Sequence, residues 1–153
     1  MRGGEENAAA VGNVKAVPFL QIDLPKTYAN DVKARFAREL AALYARMMET
    51  QSHVPSIAFR ELGPGNLVRL QDGALRDVAV VMCDIRRGRD AARREALARE
   101  ICALVAASFA LDALQVVVEF TQHASDEMFR YGDIAPEWSA AERDGNVIVT
   151  KPS

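Results

Sequence analysis

The sequence contains little of the chemistry that disulfides, metals or membranes require. Of its 153 residues only two are cysteine and two are histidine. Cys83 and Cys102 stand in apolar stretches, where a small buried thiol is the usual role, so we expect a reduced, cytoplasmic protein. No apolar run approaches the roughly 18 residues of a membrane span. Residues 1–15 also lack the apolar core of a signal peptide.

The chain also has no large excess of positive or negative charge. The chain has 19 basic and 21 acidic residues, with a net charge of -2. No global positive field therefore exists to attract nucleic acid or an anionic membrane, and we expect neither as a partner. His53 and His123 have no companions at metal-ligand spacing, so we predict no metal and no cofactor and expect both to be structural or exposed.

The chain has enough apolar sequence for one folded domain, since half of its residues are hydrophobic. Residues 1–17 are small, polar and rich in glycine and alanine, which predicts a disordered leader or a wrongly assigned start. Residues 18–153 are then a single domain.

Two strand–helix–strand units are predicted within this domain. A strand over 19–24 precedes a helix capped by Thr27, whose apolar residues recur every fourth position, and a strand over 57–62 follows. The second unit has an unbroken apolar strand over 78–83, a helix that begins at Asp90, and a strand over 114–121. A loop with glycine-rich turns separates the units. A helical turn over 125–131, packing by Trp138 and a short strand over 147–150 complete the prediction.

These elements predict an α+β fold with two β-α-β units in one four-stranded sheet and both helices on one face. Strands joined by a helix form right-handed parallel crossovers. The other sheet face remains half apolar, which indicates that partner subunits cover it. A ferredoxin-like fold has the same order of elements and pairs its strands differently, so it stays open at this point.

An arginine cluster stands at the start of the second helix. Arg86, Arg87 and Arg89 precede it, although the helix dipole favours acidic groups there by about 0.3–1 kcal/mol each. An anion bound by guanidinium groups and free helix N–H groups would relieve this unfavourable charge. We therefore interpret Arg86 and Arg89 as ligands for a substrate carboxylate at an exposed turn, and Arg87 as a solvated charge.

Four strings follow one another over about residues 18–140: the proline-led strand at Pro18, Gly65-Asn66, the Arg-Arg-Gly-Arg string at 86–89, and Phe-Arg-Tyr-Gly at 129–132. Together they resemble the tautomerase superfamily, and within it the branch of cis-3-chloroacrylic acid dehalogenase. In that family a terminal proline acts as acid or base and a pair of arginines binds the substrate carboxylate. The resemblance implies these roles for Pro18, Arg86 and Arg89, and it implies a homotrimer.

The chain departs from the dehalogenase at three places. It has Tyr44 or Ala45 where the dehalogenase has a histidine, and Glu119 where it has an aromatic hydroxyl. Its water-activating glutamate aligns with Arg130, and a permanent cation cannot deprotonate water, so hydrolytic dehalogenation is less expected. Glu119 and Arg130 are either substrate-binding residues or a surface ion pair.

Keto-enol isomerisation needs no water-activating base. We therefore predict a tautomerase-like isomerase that moves a proton on a small 2-oxo or enol acid and uses Pro18. An internal proline has no basic nitrogen, so Pro18 must be the amino terminus. Arg2 is too large to permit removal of Met1. A valine codon at Val17 can however be a bacterial start, and loss of the initiator methionine would then expose Pro18.

Two alternatives remain open from the sequence. If the leader is retained, the blocked Pro18 leaves a tautomerase-fold protein that acts as a binding or assembly module. Otherwise Glu119 could be the base of a biosynthetic isomerase or cyclase. The mature amino terminus discriminates between these hypotheses.

Overall fold

A computed structural model describes residues 18–53, 55–130 and 132–144 of the chain. Its helices and strands are β1 (Phe19–Leu24), α1 (Asn30–Met48), β2 (Ser56–Glu61), β3 (Val68–Gln71), β4 (Ala74–Asp77), β5 (Ala79–Arg86), α2 (Ala91–Phe109), β6 (Val116–His123), β7 (Phe129–Arg130) and β8 (Asp133–Ile134). None of the helices in these ranges is long and apolar enough to cross a membrane.

The main sheet has the strand order β2-β1-β5-β6. Strands β1 and β2 are parallel, β5 and β6 are parallel, and β1 and β5 run antiparallel in the centre. The two strands of each β-α-β unit are therefore direct neighbours, whereas a ferredoxin-like fold separates them by another strand. The predicted fold class is confirmed and the ferredoxin-like alternative is excluded.

One hydrophobic core joins both helices to the sheet. Alternate residues of β1 are fully buried, because successive side chains of a strand point to opposite faces. The predicted apolar stripe of the first helix is confirmed, and the second helix contributes the same spacing. The buried helix residues are Phe36, Leu40, Leu43, Tyr44, Met48, Leu97, Ile101, Val105 and Phe109.

The two helices differ in how they begin. Asp90 caps α2 as predicted, since its side chain accepts a hydrogen bond of 2.8 Å from the backbone N–H of Arg93. The prediction that Thr27 caps the first helix is wrong, because Ala29 is the cap. Tyr28 is tethered outside the helix: its backbone N–H donates to Glu61 Oε2 at 2.5 Å and its hydroxyl donates to the carbonyl of Phe109 at 3.0 Å.

Several strand boundaries also differ from the sequence prediction. The predicted inter-unit loop contains a hairpin, β3–β4, around Asp72-Gly73. Strand β5 begins one residue later than predicted and extends to Arg86. Leu114 lies in a 3-10 turn before β6. The helical turn predicted over 125–131 is shorter in the structure, since only Ser125–Glu127 form a 3-10 turn and the small β7–β8 hairpin follows. The leader and the predicted strand over 147–150 lie outside the described residues.

Candidate active site at the arginine turn

Pro18 lies at the start of β1, where it is buried. Its carbonyl oxygen accepts a hydrogen bond of 3.0 Å from the backbone N–H of Ser56. Phe19 pairs with Asp84 in the antiparallel register of β1 and β5. The start of β1 and the end of β5 therefore meet at one edge of the sheet, which brings Pro18 to the same edge as Arg86.

Arg86 ends β5 and is buried, with 2% of its surface exposed. Its Nη2 donates to Glu142 Oε2 at 2.7 Å, and its Nη1 lies 2.7 Å from Glu142 Oε1. Nη1 also donates to the carbonyl of Pro136 at 2.6 Å. The guanidinium thus contacts both oxygens of one carboxylate, through a hydrogen bond to Oε2 and a close ion-pair contact with Oε1.

Arg89 lies in the turn between β5 and α2 and is also buried, with 4% of its surface exposed. Its Nε and Nη2 donate to the carbonyl of Met48 at 3.2 and 3.0 Å, at the end of α1 where the helix dipole favours a cation. Burial lowers the pKa of Arg89 to about 10, so the group remains charged at neutral pH. The expectation of an exposed turn is therefore wrong for both arginines.

Trp138 closes over this turn. The Arg89 guanidinium lies 4.5 Å from the ring centre and that of Arg93 lies 5.8 Å away, both within cation–π range. The indole N–H donates to the carbonyl of Glu49 at 3.3 Å. Packing by Trp138, predicted from the sequence, is confirmed.

Gly88 permits this close approach. Its φ is +126°, and a Cβ atom there would lie 3.3 Å from Trp138 Cε3. We expect Gly88→Ala to lower the free energy of unfolding by about 1–3 kcal/mol, because the backbone conformation is almost restricted to glycine and the ring would have to move. Urea unfolding measures this change. Gly73→Ala is the control, since Gly73 has φ +75° and nothing within 4 Å of a new Cβ. An equal loss in both variants would contradict a role for the Trp138 contact.

Glu142 is the buried carboxylate of the site, with 1% of its surface exposed. Besides Arg86, the hydroxyl of Thr50 donates to its Oε2 at 2.8 Å. Oε1 accepts no well-aligned hydrogen bond from the described residues. The sequence analysis missed Glu142, because it lies 56 residues from Arg86 and no motif spacing relates the two.

Glu119 does not join this cluster in the described part of the chain. Glu119 is exposed on β6 opposite Met82 and forms none of the side-chain hydrogen bonds or ion pairs found among the described residues. Met82 is four residues from Arg86, about 13 Å along an extended strand. The side chain of Arg130 lies outside the described part of the chain, so the ion pair with Glu119 stays a prediction.

The histidines and cysteines provide no alternative centre. His53 is exposed, and His123 lies opposite Arg86 with its ring nitrogens 3.5 Å from Asp84 and 3.4 Å from Glu127. Burial raises the pKa of the Cys83 thiol to about 12, so it is neutral at physiological pH. Within ranges 18–53, 55–130 and 132–144, no three or more histidine, cysteine or acidic side chains form a group that could hold a metal.

Comparison with solved structures identifies the fold as that of the tautomerase superfamily. The chain is similar to N1, a member of the cis-3-chloroacrylic acid dehalogenase family, with 22% identity and a TM-score of 0.69 over 78% of this chain and 84% of N1. It is similar to Pt0534 inactivated by 2-oxo-3-pentynoate, with 15% identity and a TM-score of 0.67 over 76% of this chain and 94% of Pt0534.

An asymmetric trimer of wild-type fused 4-OT is a further similar structure, with 20% identity and a TM-score of 0.67 over 76% of this chain and 95% of that chain. No family model matches the sequence, and no curated protein matches it. The TM-scores establish the shared fold, and identities this low carry no residue role over to this chain.

Proposed function

We propose that this chain is a tautomerase-like isomerase that moves a proton between carbon and oxygen of a small 2-oxo or enol acid. Pro18 is the acid and base, and Arg86 and Arg89 bind the substrate carboxylate. The observation that carries this proposal is the two-pronged contact of Arg86 with a carboxylate at the edge of the sheet where Pro18 lies. No cofactor or metal is needed, and the protein acts in the cytoplasm.

The proposed chemistry needs a neutral secondary amine at Pro18. An ordinary terminal amine has a pKa of about 7.7–8.0, and burial together with nearby cations lowers the pKa of such a group. The amine takes a proton from the carbon beside the carbonyl, the C–H electron pair forms the C=C bond, and the carbonyl π pair moves to oxygen. The arginine charges stabilise the enolate, and the proton returns to carbon or oxygen.

The inactivation of Pt0534 by 2-oxo-3-pentynoate suggests a direct test of the proposed amine. In this acetylenic 2-oxo acid the alkyne is conjugated with a ketone, so a neutral amine adds to it without a leaving group. Protein that begins at Pro18 should gain the full mass of one reagent molecule, located on residue 18 by peptide mass spectrometry. The 153-residue chain, in which Pro18 is an amide, should not be modified at that residue. Absence of the adduct from the trimmed form would contradict a reactive proline.

A homotrimer is the proposed assembly. The face of the sheet opposite the helices carries partly exposed apolar residues such as Met82 and Val117. Large apolar side chains are also exposed at Val68, Leu70, Leu75, Leu114, Phe129 and Ile134. Apolar surface of this extent favours association between copies. We expect light scattering at micromolar concentration to give three times the chain mass of 16.7 kDa. A monomer would contradict the proposal.

A binding or assembly module is the second candidate. The observation that favours it is that Arg86 and Arg89 already have partners within the chain, so the site as described is closed. In this case the blocked Pro18 has no chemical role, and the trimmed and full-length proteins are equally inactive. A biosynthetic isomerase or cyclase that uses Glu119 would instead be equally active in both forms.

A further inference from the structure

We infer that Glu142 is a built-in competitor for the substrate carboxylate, and that residues 135–144 form a strap that must release Arg86 before an acid can bind. This inference rests on the proposed function in one respect, the role of Arg86 as a carboxylate ligand. It adds an internal ligand that sets the affinity of the site.

Competition follows from how the Arg86 guanidinium is used. Both terminal nitrogens are committed, Nη2 to Glu142 Oε2 and Nη1 to Glu142 Oε1 and the Pro136 carbonyl. A substrate carboxylate bound end-on, by Nη1 and Nη2, needs the same two nitrogens. Glu142 and an incoming acid therefore cannot both bind this end of the Arg86 guanidinium.

The strap is attached mainly by polar contacts. Thr50 donates to Glu142, the indole N–H of Trp138 donates to Glu49, and Glu137 Oε1 accepts from the hydroxyl of Ser125 at 2.9 Å. Water or a ligand can replace each of these hydrogen bonds, so the net free energy per contact is small. The apolar burial of the strap comes from Ala135, which is buried, and from Pro136, Trp138 and Ala141, which are half buried.

The buried ion pair between Arg86 and Glu142 also contributes little net free energy to closure of the strap. Arg86 and Glu142 must both lose water when the strap closes, and this desolvation cost offsets most of their mutual attraction. Glu142 Oε1 lacks a well-aligned hydrogen bond, so the internal carboxylate is held less well than Arg86 could hold a free one. A small acid can therefore displace Glu142. Its apparent affinity is the intrinsic affinity of the open site multiplied by the fraction of chains in which the strap is open.

Trp138 is the only tryptophan of the chain, so its emission reports on the strap. The test titrates the 153-residue protein with malonate at constant ionic strength, with neutral malonamide as the ligand control. We expect a saturable red shift of the wild-type emission with malonate alone, because release of the strap exposes the ring. Calorimetry gives the dissociation constant.

Three variants sharpen the test. Glu142→Gln removes the competing charge and should bind malonate about tenfold or more tightly than the wild type. Thr50→Val removes one hydrogen bond to Glu142 without leaving an unpaired buried charge, and it should bind two- to fivefold more tightly. It keeps the inference testable if Glu142→Gln does not fold. Glu95→Gln breaks an exposed ion pair with Arg99 elsewhere on α2 and should bind like the wild type.

Each outcome decides the inference. Tighter binding by Glu142→Gln and Thr50→Val, together with the wild-type red shift, supports it. Equal malonate affinity in the wild type and both variants overturns it, as does binding that leaves the Trp138 emission unchanged. If none of the forms binds malonate, the inference is overturned, and the proposed isomerase stands or falls separately on the activity of protein that begins at Pro18.

Discussion

Protein that begins at Pro18 will ketonise the enol of phenylpyruvate about a hundredfold or more faster than the 153-residue chain. Acylation by Val17 converts a titratable secondary amine into a planar amide that has neither a basic lone pair nor a proton to donate. A positioned general acid or base contributes about 10²–10⁴ in rate, so its loss should remove most of the acceleration. The measurement is the first-order decay of enol absorbance at equal protein concentrations.

Pro18→Ala in the trimmed protein is the matched control. This variant keeps a terminal amine, but the amine is primary and no longer part of a rigid ring. We expect the rate of enol ketonisation to fall well below that of the proline form. Equal rates in the full-length and trimmed proteins that also survive Pro18→Ala would overturn the proline mechanism and favour Glu119 or another side chain. No activity in either form would favour the binding module.

The sequence predicts the parts of this fold that depend on periodic burial. Residues Phe36, Leu40, Tyr44 and Met48 recur at helical spacing, so both the helix and its buried face follow from the pattern. The pairing of the strands does not follow from this pattern, because a ferredoxin-like fold has the same order of elements along the chain. The pairing depends on contacts between residues far apart in the chain, which local periodicity does not contain.

The first helix shows how a distant contact overrides a local signal. Thr27 has a preferred capping side chain. The backbone N–H of Tyr28 nevertheless binds Glu61, 33 residues later, and the helix starts only after Ala29. Glu61 itself is held ionised, since its hydrogen bonds to Lys33 and Tyr28 lower the pKa of that carboxyl. A local rule cannot anticipate a partner of this kind.

The same limit explains what the sequence missed at the site. The unfavourable position of Arg86 and Arg89 beside a helix start led to the prediction that an anion binds there. The sequence did not show that the chain itself provides partners for these cations, through Glu142, Trp138 and the last carbonyls of α1.

Removal of Arg86 will therefore destabilise the protein. We expect Arg86→Ala to lower the free energy of unfolding by about 2–3 kcal/mol, because it leaves the Glu142 carboxylate without its cation. The loss stays below that of a permanently buried unpaired charge, since the strap can open and return Glu142 to water. Glu142→Ala should have a similar effect through the unpaired guanidinium. Urea unfolding followed by circular dichroism measures both losses.

The double variant Arg86→Met with Glu142→Leu tests the physical cause. Replacing both charges by apolar groups of similar volume removes the desolvation cost together with the attraction. The double variant should therefore lose less stability than either alanine variant alone. Arg99→Ala is the matched control, since the Arg99–Glu95 pair is exposed and contributes less than about 1 kcal/mol. If Arg86→Ala costs no more than Arg99→Ala, the contact of Arg86 with Glu142 does not form in solution, and the arginine turn is open.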